Sequence, residues 1–186
     1  PVVHADNYSL LYLPGHSTQY VLVIENNDSH PILGDEKLTQ YAPAAWDLLE
    51  ITNGIPTLHD SSVGEYVPQM LNVQAINGIS FTKGCYLGQE TVARMQYLGK
   101  NKRALYCLKG HSSATLPELM TIEKQLGEHW RKAGDIICQY QSESGEIFAQ
   151  AVLASDIDND TKLRIKDHES TTLTVVDLPY NLSTQD

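Results

Sequence analysis

Residues 79–90 read ISFTKGCYLGQE, which combines the patterns of a strand, a turn and a helix start. The apolar and β-branched run 79–82 predicts a short strand, and Lys83-Gly84 predicts a turn directly after it. Gly88 then lies near the N-cap of a predicted helix over about 89–98. The segment is therefore expected to present a tight loop between a strand and a helix N-terminus.

The loop holds a thiol at Cys85 between two glycines. Gly84 and Gly88 permit a positive φ or a close backbone approach on either side of it. Glu90 falls in the first helical turn, where the helix dipole favours a carboxylate. A helix N-terminus and the nearby Lys83 both favour thiolate, the form that a nucleophilic or metal-binding cysteine needs. From the residues alone, a buried structural cysteine stays open as the alternative.

Before this loop, the sequence predicts a hairpin and two helices. Residues 8–13 and 19–25 are rich in Tyr, Val, Leu and Ile and flank a Pro-Gly-containing turn at 14–17, which predicts two paired strands. Apolar residues spaced by three and four predict a helix over 43–53 with proline in its first turn. A second, short helix is predicted over 68–75, and each helix ends at an Asn-Gly pair.

After the loop, the sequence changes to short segments of strand character separated by Gly, Ser, Asp and Asn. These predicted strands are 102–109, 135–141, 147–154, 161–165 and 173–178. They indicate a small antiparallel barrel or sandwich, of which we favour the barrel, so the predicted fold class is α+β. We place the domain boundary near 99–101, with one domain over 1–100 and the barrel domain over 101–186.

Composition excludes several classes of protein. The chain has 186 residues, 41% of them hydrophobic, and 13 Lys plus Arg against 23 Asp plus Glu give a net charge of −10. Its apolar runs are far shorter than the ~20 residues of a membrane helix, and no secretory signal precedes them. Cys85, Cys107 and Cys138 form no CxxC pair, which predicts a reducing compartment, the cytoplasm. Because the chain begins at Pro1 rather than Met, we expect it to start within a larger protein.

The acidic balance is uneven along the chain. Residues 91–117 contain no Asp or Glu, while Arg94, Lys102, Arg103 and two further lysines give the stretch a local charge of +5. This pattern fits either an anion-facing surface or a chance run of charge on a solvated strand and loop. No metal-ligand spacing, phosphate-binding glycine loop or hydrolase elbow occurs, so no metal site is predicted.

The order Lys83-Gly84-Cys85-Tyr86-x-Gly88-Gln89-Glu90 resembles the KGCYxGQE signature of the YgfZ family. This is a family of folate-binding, tRNA-modification-linked proteins related to the glycine-cleavage T-protein and to mitochondrial iron-sulfur assembly factors. The similarity is strong over 46–108 and extends to the barrel in pattern only. Further matches flank the motif: Trp46, Ile51, Gly54-Ile55-Pro56, Val67-Pro68-Gln69, Asn72, Val92-Ala93-Arg94 and Asn101-Lys102-Arg103.

The resemblance implies a fold and a set of site residues. Residues 1–100 would form part of a T-protein-like folate-binding body, followed by the barrel. Trp46 corresponds to a folate-contacting tryptophan, whose indole offers a flat face for a pterin, with a core aromatic on the buried helix face as the alternative. Relatives carry an acid where this chain has Thr52, so Glu50 is the candidate carboxyl for the pterin. Cys85 corresponds to the functional thiol, and the helix start beside Lys83 would meet a glutamate carboxylate of folate.

The implied function is folate-dependent support of tRNA modification and of the assembly or repair of iron-sulfur enzymes through Cys85. Tetrahydrofolate or a derivative is the implied cofactor, and iron-sulfur enzymes such as tRNA-modifying radical enzymes are the implied partners. Three cysteines without ligand spacing define no stable cluster site, so a cluster would be shared or transient. No membrane partner is expected.

Two other functions stay open. A folate-dependent one-carbon (aminomethyl) transferase is the alternative, although such chemistry needs an acid or base beside the folate nitrogen. We therefore favour a non-enzymatic maintenance factor and leave enzyme status undecided. Direct tRNA binding by the basic stretch ranks lowest, and the anion patch Arg94, Lys102 and Arg103 would equally receive a polyglutamate tail or an acidic partner.

Overall fold

The computed structural model describes residues 2–13, 18–25, 31–97 and 101–182. The chain divides into two compact units, Pro1–Pro43 and Ala44–Asp186, and each is described by itself. The predicted domain boundary near 99–101 stays a prediction, because residues 98–100 lie outside the described part of the chain.

The first unit is built around a three-stranded antiparallel sheet. Its strands are β1 (Val2–His4), β2 (Tyr8–Leu13) and β3 (Gln19–Ile24), with β2 in the centre. The pairing of β2 with β3 confirms the two strands of the predicted hairpin, and the predicted turn at 14–17 lies outside the described residues. The sequence did not predict β1, because three residues are too short to show a period. A 3-10 helix follows at Pro31–Gly34.

The second unit contains a closed six-stranded antiparallel barrel with the strand order β4-β7-β6-β5-β8-β9. Its strands are β4 (Arg103–His111), β5 (Thr121–Leu126), β6 (His129–Gln141), β7 (Glu146–Ala154), β8 (Leu163–Ile165) and β9 (His168–Val176). The predicted barrel is confirmed. Five of its strands, β4, β6, β7, β8 and β9, were predicted, although their ends differ from the predicted ones.

Strand β5 was not predicted because its sequence, TIEKQL, is charged in the middle. Those charges are paired in the fold. Glu123 lies 2.7 Å from Arg164 of β8, and Lys124 lies 2.9 Å from Asp156. Only Ile122 among the six residues of β5 is fully buried, so the usual apolar alternation is absent.

Aliphatic side chains from all six strands fill the barrel interior. The largest fully buried ones are Leu108, Ile122, Ile136, Ile147, Leu153, Leu163 and Ile165. A second cluster lies outside the barrel wall, where Ile51 and Leu71 pack against Leu105, Ile137 and Val152. The segment before the barrel therefore covers one outer face of it.

A bulge in β6 allows this strand to serve both clusters. The register shifts between Ile136 and Cys138, so Ile136 joins the interior cluster while Ile137 and Cys138 join the outer one. A regular strand would send two neighbouring residues to opposite faces. The apolar run at 136–138 is thus buried throughout.

The helices of the second unit are α1 (Ala45–Asn53) and α2 (Gln89–Tyr97), and no helix among the described residues is long and apolar enough to cross a membrane. Both confirm predictions, and residue 98 of the predicted α2 is not described. Helix α1 starts two residues after the predicted Pro43. Gly54 ends it with a φ of 65°, as a C-terminal glycine does.

Two predicted elements were wrong. Residues 68–75 form only a 3-10 helix, Pro68–Leu71, because Asn72 takes a left-handed φ of 56° and bonds to both backbone groups of Leu105. Residues 79–82 form no strand. Instead, the Ser80 hydroxyl accepts the Lys83 N–H at 3.3 Å and closes a turn.

Candidate functional site

The thiol loop, residues 83–88, presents Cys85 to solvent directly before α2. The side chain of Gln89 holds the loop, because its Oε1 accepts the Tyr86 N–H at 3.3 Å. Tyr86 is half-buried, whereas Cys85 and Leu87 on either side of it are exposed, Leu87 completely. The loop therefore displays a thiol and an apolar side chain together.

The two glycines of the loop have different roles. Gly88 adopts a φ of 87°, and its carbonyl accepts the Val92 N–H at 3.2 Å, so it starts the helix as predicted. Gly84 uses neither the positive φ nor the close backbone approach that a glycine permits. Its φ lies outside the left-handed region, and a Cβ there would meet no described atom within 4 Å. Glu90 lies exposed in the first turn of α2, as predicted.

The other two cysteines, Cys107 and Cys138, are buried, as structural cysteines are. Cys107 donates its thiol to the Ile51 carbonyl at 3.1 Å, and burial raises its pKa to about 12. Burial likewise raises the pKa of Cys138 to about 12, with the nearby Asp47 carboxylate adding to the effect. Cys85 is thus the one thiol of the three that an external partner can reach.

Trp46 and Glu50 lie one turn apart on α1. The indole is 40% exposed, and its N–H donates to the Glu50 carboxylate. Partial burial raises the pKa of Glu50, and the bond from Trp46 opposes that rise. An exposed ring face beside a hydrogen-bonded carboxyl is a fitting surface for a flat heterocycle with N–H donors, as a pterin is.

Thr52 stands where the family resemblance implies an acid. Its hydroxyl donates to the Leu49 carbonyl at 3.0 Å, within its own helix. Glu50 is therefore the better-placed polar group for a ligand at Trp46.

One buried side chain fixes this end of α1 to the barrel. The Gln150 amide donates to the carbonyls of Glu50 at 3.3 Å and Ile55 at 2.7 Å, and its oxygen accepts the Thr57 N–H at 3.2 Å. Gln150 is fully buried on β7. The sequence alone did not indicate this residue, because a single Gln in an apolar strand carries no recognisable spacing.

An apolar cavity of about 350 Å³, here called the motif cavity, lies beside the thiol loop. Lys83 and Tyr86 line it, with the Lys83 ammonium 5.7 Å from the centre of the Tyr86 ring. Its other polar lining groups are Tyr66 and Ser80. Aliphatic side chains and a proline make up the rest of the wall: Leu58, Pro68, Leu71, Val73, Ile79 and Val92.

The basic candidates Arg94, Lys102 and Arg103 are exposed, and none forms an ion pair with a described residue. Lys109, from the same stretch, is engaged with Glu146 at 3.1 Å and with the Phe148 ring. Three of the cations in the basic stretch are thus free to meet an external anion.

The candidates fall into two groups. Lys83, Tyr86 and Gln89 act together at the thiol loop, while Trp46 and Glu50 form a pair on α1. No hydrogen bond, ion pair or ring contact within the described residues joins the two groups. No cluster of three or more His, Cys, Asp or Glu that could hold a metal ion occurs in this part of the chain either.

The sequence missed Leu58 and Tyr66 of the motif cavity. The wall is assembled from residues 58–73 and 78–92, so no local spacing marks it. Gln69 and Asn72 were flagged by resemblance only. Both are buried, and they tie the 68–72 segment to Val92 and Leu105.

Comparison with known proteins bears directly on this arrangement. The family model described as "YgfZ, beta-barrel domain" matches residues 101–168, the start of the barrel through β8. A protein of Colwellia psychrerythraea named "tRNA-modifying protein YgfZ" is 52% identical over 98% of this chain, which covers 56% of that relative. Residues 101–168 thus match a YgfZ barrel domain, and the chain is similar to YgfZ proteins over nearly its whole length.

Other YgfZ relatives match over the same extent. Proteins of the same name from Pectobacterium atrosepticum and Yersinia enterocolitica are 37% and 38% identical, each over 98% of this chain and 56% of the relative. The chain therefore spans about half the length of the curated YgfZ proteins it matches.

Proposed function

We propose that this chain contributes to a folate-binding protein that supports tRNA modification and the assembly or repair of iron-sulfur enzymes. The observation that carries the proposal is the exposed Cys85 in an ordered loop of a chain whose relatives are named tRNA-modifying proteins. Three free thiols fit a reducing compartment such as the cytoplasm.

Cys85 is the working thiol in this proposal, and the exposed Leu87 beside it adds apolar contact area for a partner enzyme. Iron-sulfur enzymes such as radical tRNA-modifying enzymes are the proposed partners. Because Cys107 and Cys138 are buried with raised pKa values, Cys85 is the one accessible thiol of the three. A cluster held there would be shared with the partner or transient.

Trp46 and Glu50 are the proposed folate contacts, within a T-protein-like body to which residues 1–100 contribute. Folate, when bound, carries one-carbon units. The exposed indole would stack on the pterin, and the Glu50 carboxyl would accept its ring N–H groups. Lys83 or the exposed Arg94, Lys102 and Arg103 supply positive charge for the glutamate end.

Tryptophan fluorescence tests the folate site, with 5-formyltetrahydrofolate as the probe. Trp46→Phe removes the proposed contact, and Trp130→Phe is the matched control because Trp130 stacks on Arg164 elsewhere in the barrel. We expect saturable quenching in the unsubstituted chain and in Trp130→Phe, and none in Trp46→Phe. The same titration is run on a full-length relative. If neither protein responds, the folate part of the proposal is wrong.

Complementation tests Cys85. A full-length relative with the matching cysteine changed to Ser is expressed in cells that lack the family member, and methylthiolated tRNA nucleosides are measured. We expect loss of the modification, while Cys85→Ser in this chain leaves the melting temperature unchanged. A fall in melting temperature of more than about 5 °C would instead indicate a structural thiol.

The aminomethyl transferase alternative is favoured by one observation. Glu50 is a carboxyl whose pKa is raised by burial, and it lies next to the proposed pterin contact, where a proton donor or acceptor would have to be. Incubation of the full-length relative with an aminomethyl donor and tetrahydrofolate tests it. Formation of methylenetetrahydrofolate that depends on this carboxyl would favour the transferase.

Direct tRNA binding by Arg94, Lys102 and Arg103 stays the lowest-ranked prediction. Binding through phosphates weakens steeply with salt. Absence of a gel shift at low salt would exclude it.

A further inference from the structure

The motif cavity is separate from the proposed folate contacts Trp46 and Glu50, neither of which lines it. Of the groups proposed for folate only Lys83 lines it, as one of four candidates for the glutamate end, so folate stacking on Trp46 can fail while this inference holds. Its volume of about 350 Å³ lies in the range of pockets that hold small molecules. The function proposed above leaves this space unassigned.

The apolar lining of the motif cavity determines which kind of group can fill it. Five aliphatic side chains and one proline face a space that also borders the rings of Tyr66 and Tyr86. Such a surface favours a flat or compact apolar group over a hydrated one.

The charge at the rim restricts the other end of the ligand. Lys83 forms no ion pair with a described carboxylate, and its ammonium contacts only the Tyr86 ring in this part of the chain. Burial raises the pKa of Tyr66, which keeps its phenol protonated as a hydrogen-bond donor. The polar groups of the cavity are thus a cation and hydroxyl donors, with no carboxylate among the lining residues.

We propose that the motif cavity binds a small organic anion with an aromatic body, its rings between Tyr66 and Val92 and its acidic group at Lys83. The thiol loop would then hold a ligand next to Cys85, since Lys83 and Tyr86 flank that residue in the chain.

The probe is 8-anilinonaphthalene-1-sulfonate, compared with N-phenyl-1-naphthylamine, which has the same rings without the sulfonate. Both are excited directly and titrated against the whole chain. We expect saturable binding of one sulfonate probe per chain, and tighter binding than that of the neutral probe. Lys83→Gln should weaken the sulfonate about tenfold and leave the neutral probe unchanged, while Lys83→Arg should retain binding. Lys166→Gln, an exposed lysine outside the cavity, is the charge control.

A second pair of variants tests the location. Leu58 lines the motif cavity and is 47% exposed. Leu58→Trp therefore places a larger side chain at the cavity opening, where it blocks entry without crowding a buried core. Leu119 is similarly exposed at 56% but lines a neighbouring cavity, so Leu119→Trp is the matched control. We expect Leu58→Trp alone to abolish binding.

Melting curves verify that each variant is folded. Binding that survives Leu58→Trp would place the probe elsewhere and overturn the proposal. Equal loss of both probes in Lys83→Gln would overturn the anion preference, and no saturable binding would overturn the site itself.

Discussion

At the scale of single residues, burial separates the three thiols. We predict that iodoacetamide at about pH 8 alkylates only Cys85 in the native chain, as measured by mass spectrometry. With pKa values of about 12, Cys107 and Cys138 hold roughly a thousandfold less thiolate than an ordinary thiol of pKa about 8.5. Cys85→Ser should remove the rapid labelling, and denaturant should expose all the remaining thiols. Rapid labelling of Cys107 in the native chain would contradict the buried position.

The two glycines near the thiol loop differ in the space around them. A Cβ at Gly78 would press on the Cγ1 of Val73 and lie 3.1 Å from the Val73 carbonyl oxygen. We predict that Gly78→Ala lowers the free energy of unfolding by about 1–3 kcal/mol in urea titrations, because stiff Val73 and a backbone atom must move. Gly84→Ala is the control, since its Cβ enters open space, and a loss as large there would refute the steric argument.

Glu50 makes the free energy of unfolding depend on pH, and the direction of that dependence follows from its raised pKa. Its pKa in the folded chain is above the ordinary 4.5, mainly because of burial. Between these two values the native state binds more protons than the unfolded state, so this group makes the free energy of unfolding fall as pH rises. We predict that the stability of Glu50→Gln relative to the unsubstituted chain increases as the pH rises through this window. Melting temperatures across the acidic range measure the difference, and a constant difference would contradict the raised pKa.

At the scale of elements, Gln150 connects α1 to the barrel. Gln150→Leu would leave the carbonyls of Glu50 and Ile55 and the N–H of Thr57 without their side-chain partner. We predict a loss of about 2–4 kcal/mol in the free energy of unfolding and a shift in Trp46 fluorescence, since buried polar groups are costly to leave unpaired. Gln125→Leu on β5 is the control, because that side chain forms no hydrogen bond with a described residue, and a similar loss there would refute the assignment.

Elements with a clear apolar period could be predicted from the sequence. Helix α1 shows apolar residues spaced by three and four. Strands β2, β3, β4 and β7 are short segments rich in apolar residues and bounded by turn residues, although β7 is buried on both faces. Strand β5 could not be predicted, since its charges are neutralised by Arg164 and Asp156, residues distant in sequence. Residues 79–82 were wrongly predicted to form a strand. Their residue types favour a strand, but among the described residues they pair with no neighbouring strand.

The candidate site divides in the same way. Local signals were enough to mark Cys85, because the glycines, the lysine and the helix start lie within a few residues of it. The motif cavity joins Leu58 and Tyr66 to residues 78–92, a contact that exists only after the chain folds. Sequence patterns therefore identify the loop and leave its neighbouring cavity unseen.

At the scale of the whole molecule, both apolar clusters belong to one unit. Every buried residue of the barrel interior and of its covered outer face lies within Ala44–Asp186. The hydrogen bonds that hold α1 and the thiol loop connect residues of this same unit. The unit thus contains the elements that position both groups of candidates.

We predict that a chain truncated to residues 44–186 folds cooperatively. It keeps both apolar clusters of the described residues, and burial of that apolar surface is the main stabilising contribution. Circular dichroism should show a single melting transition, and the alkylation rate of Cys85 should match that of the whole chain. Ile122→Asp, which places a charge inside the barrel, is the control that should abolish the transition in both chains. If the truncated chain melts without cooperativity while the whole chain melts sharply, the first 43 residues must supply stability that neither apolar cluster accounts for.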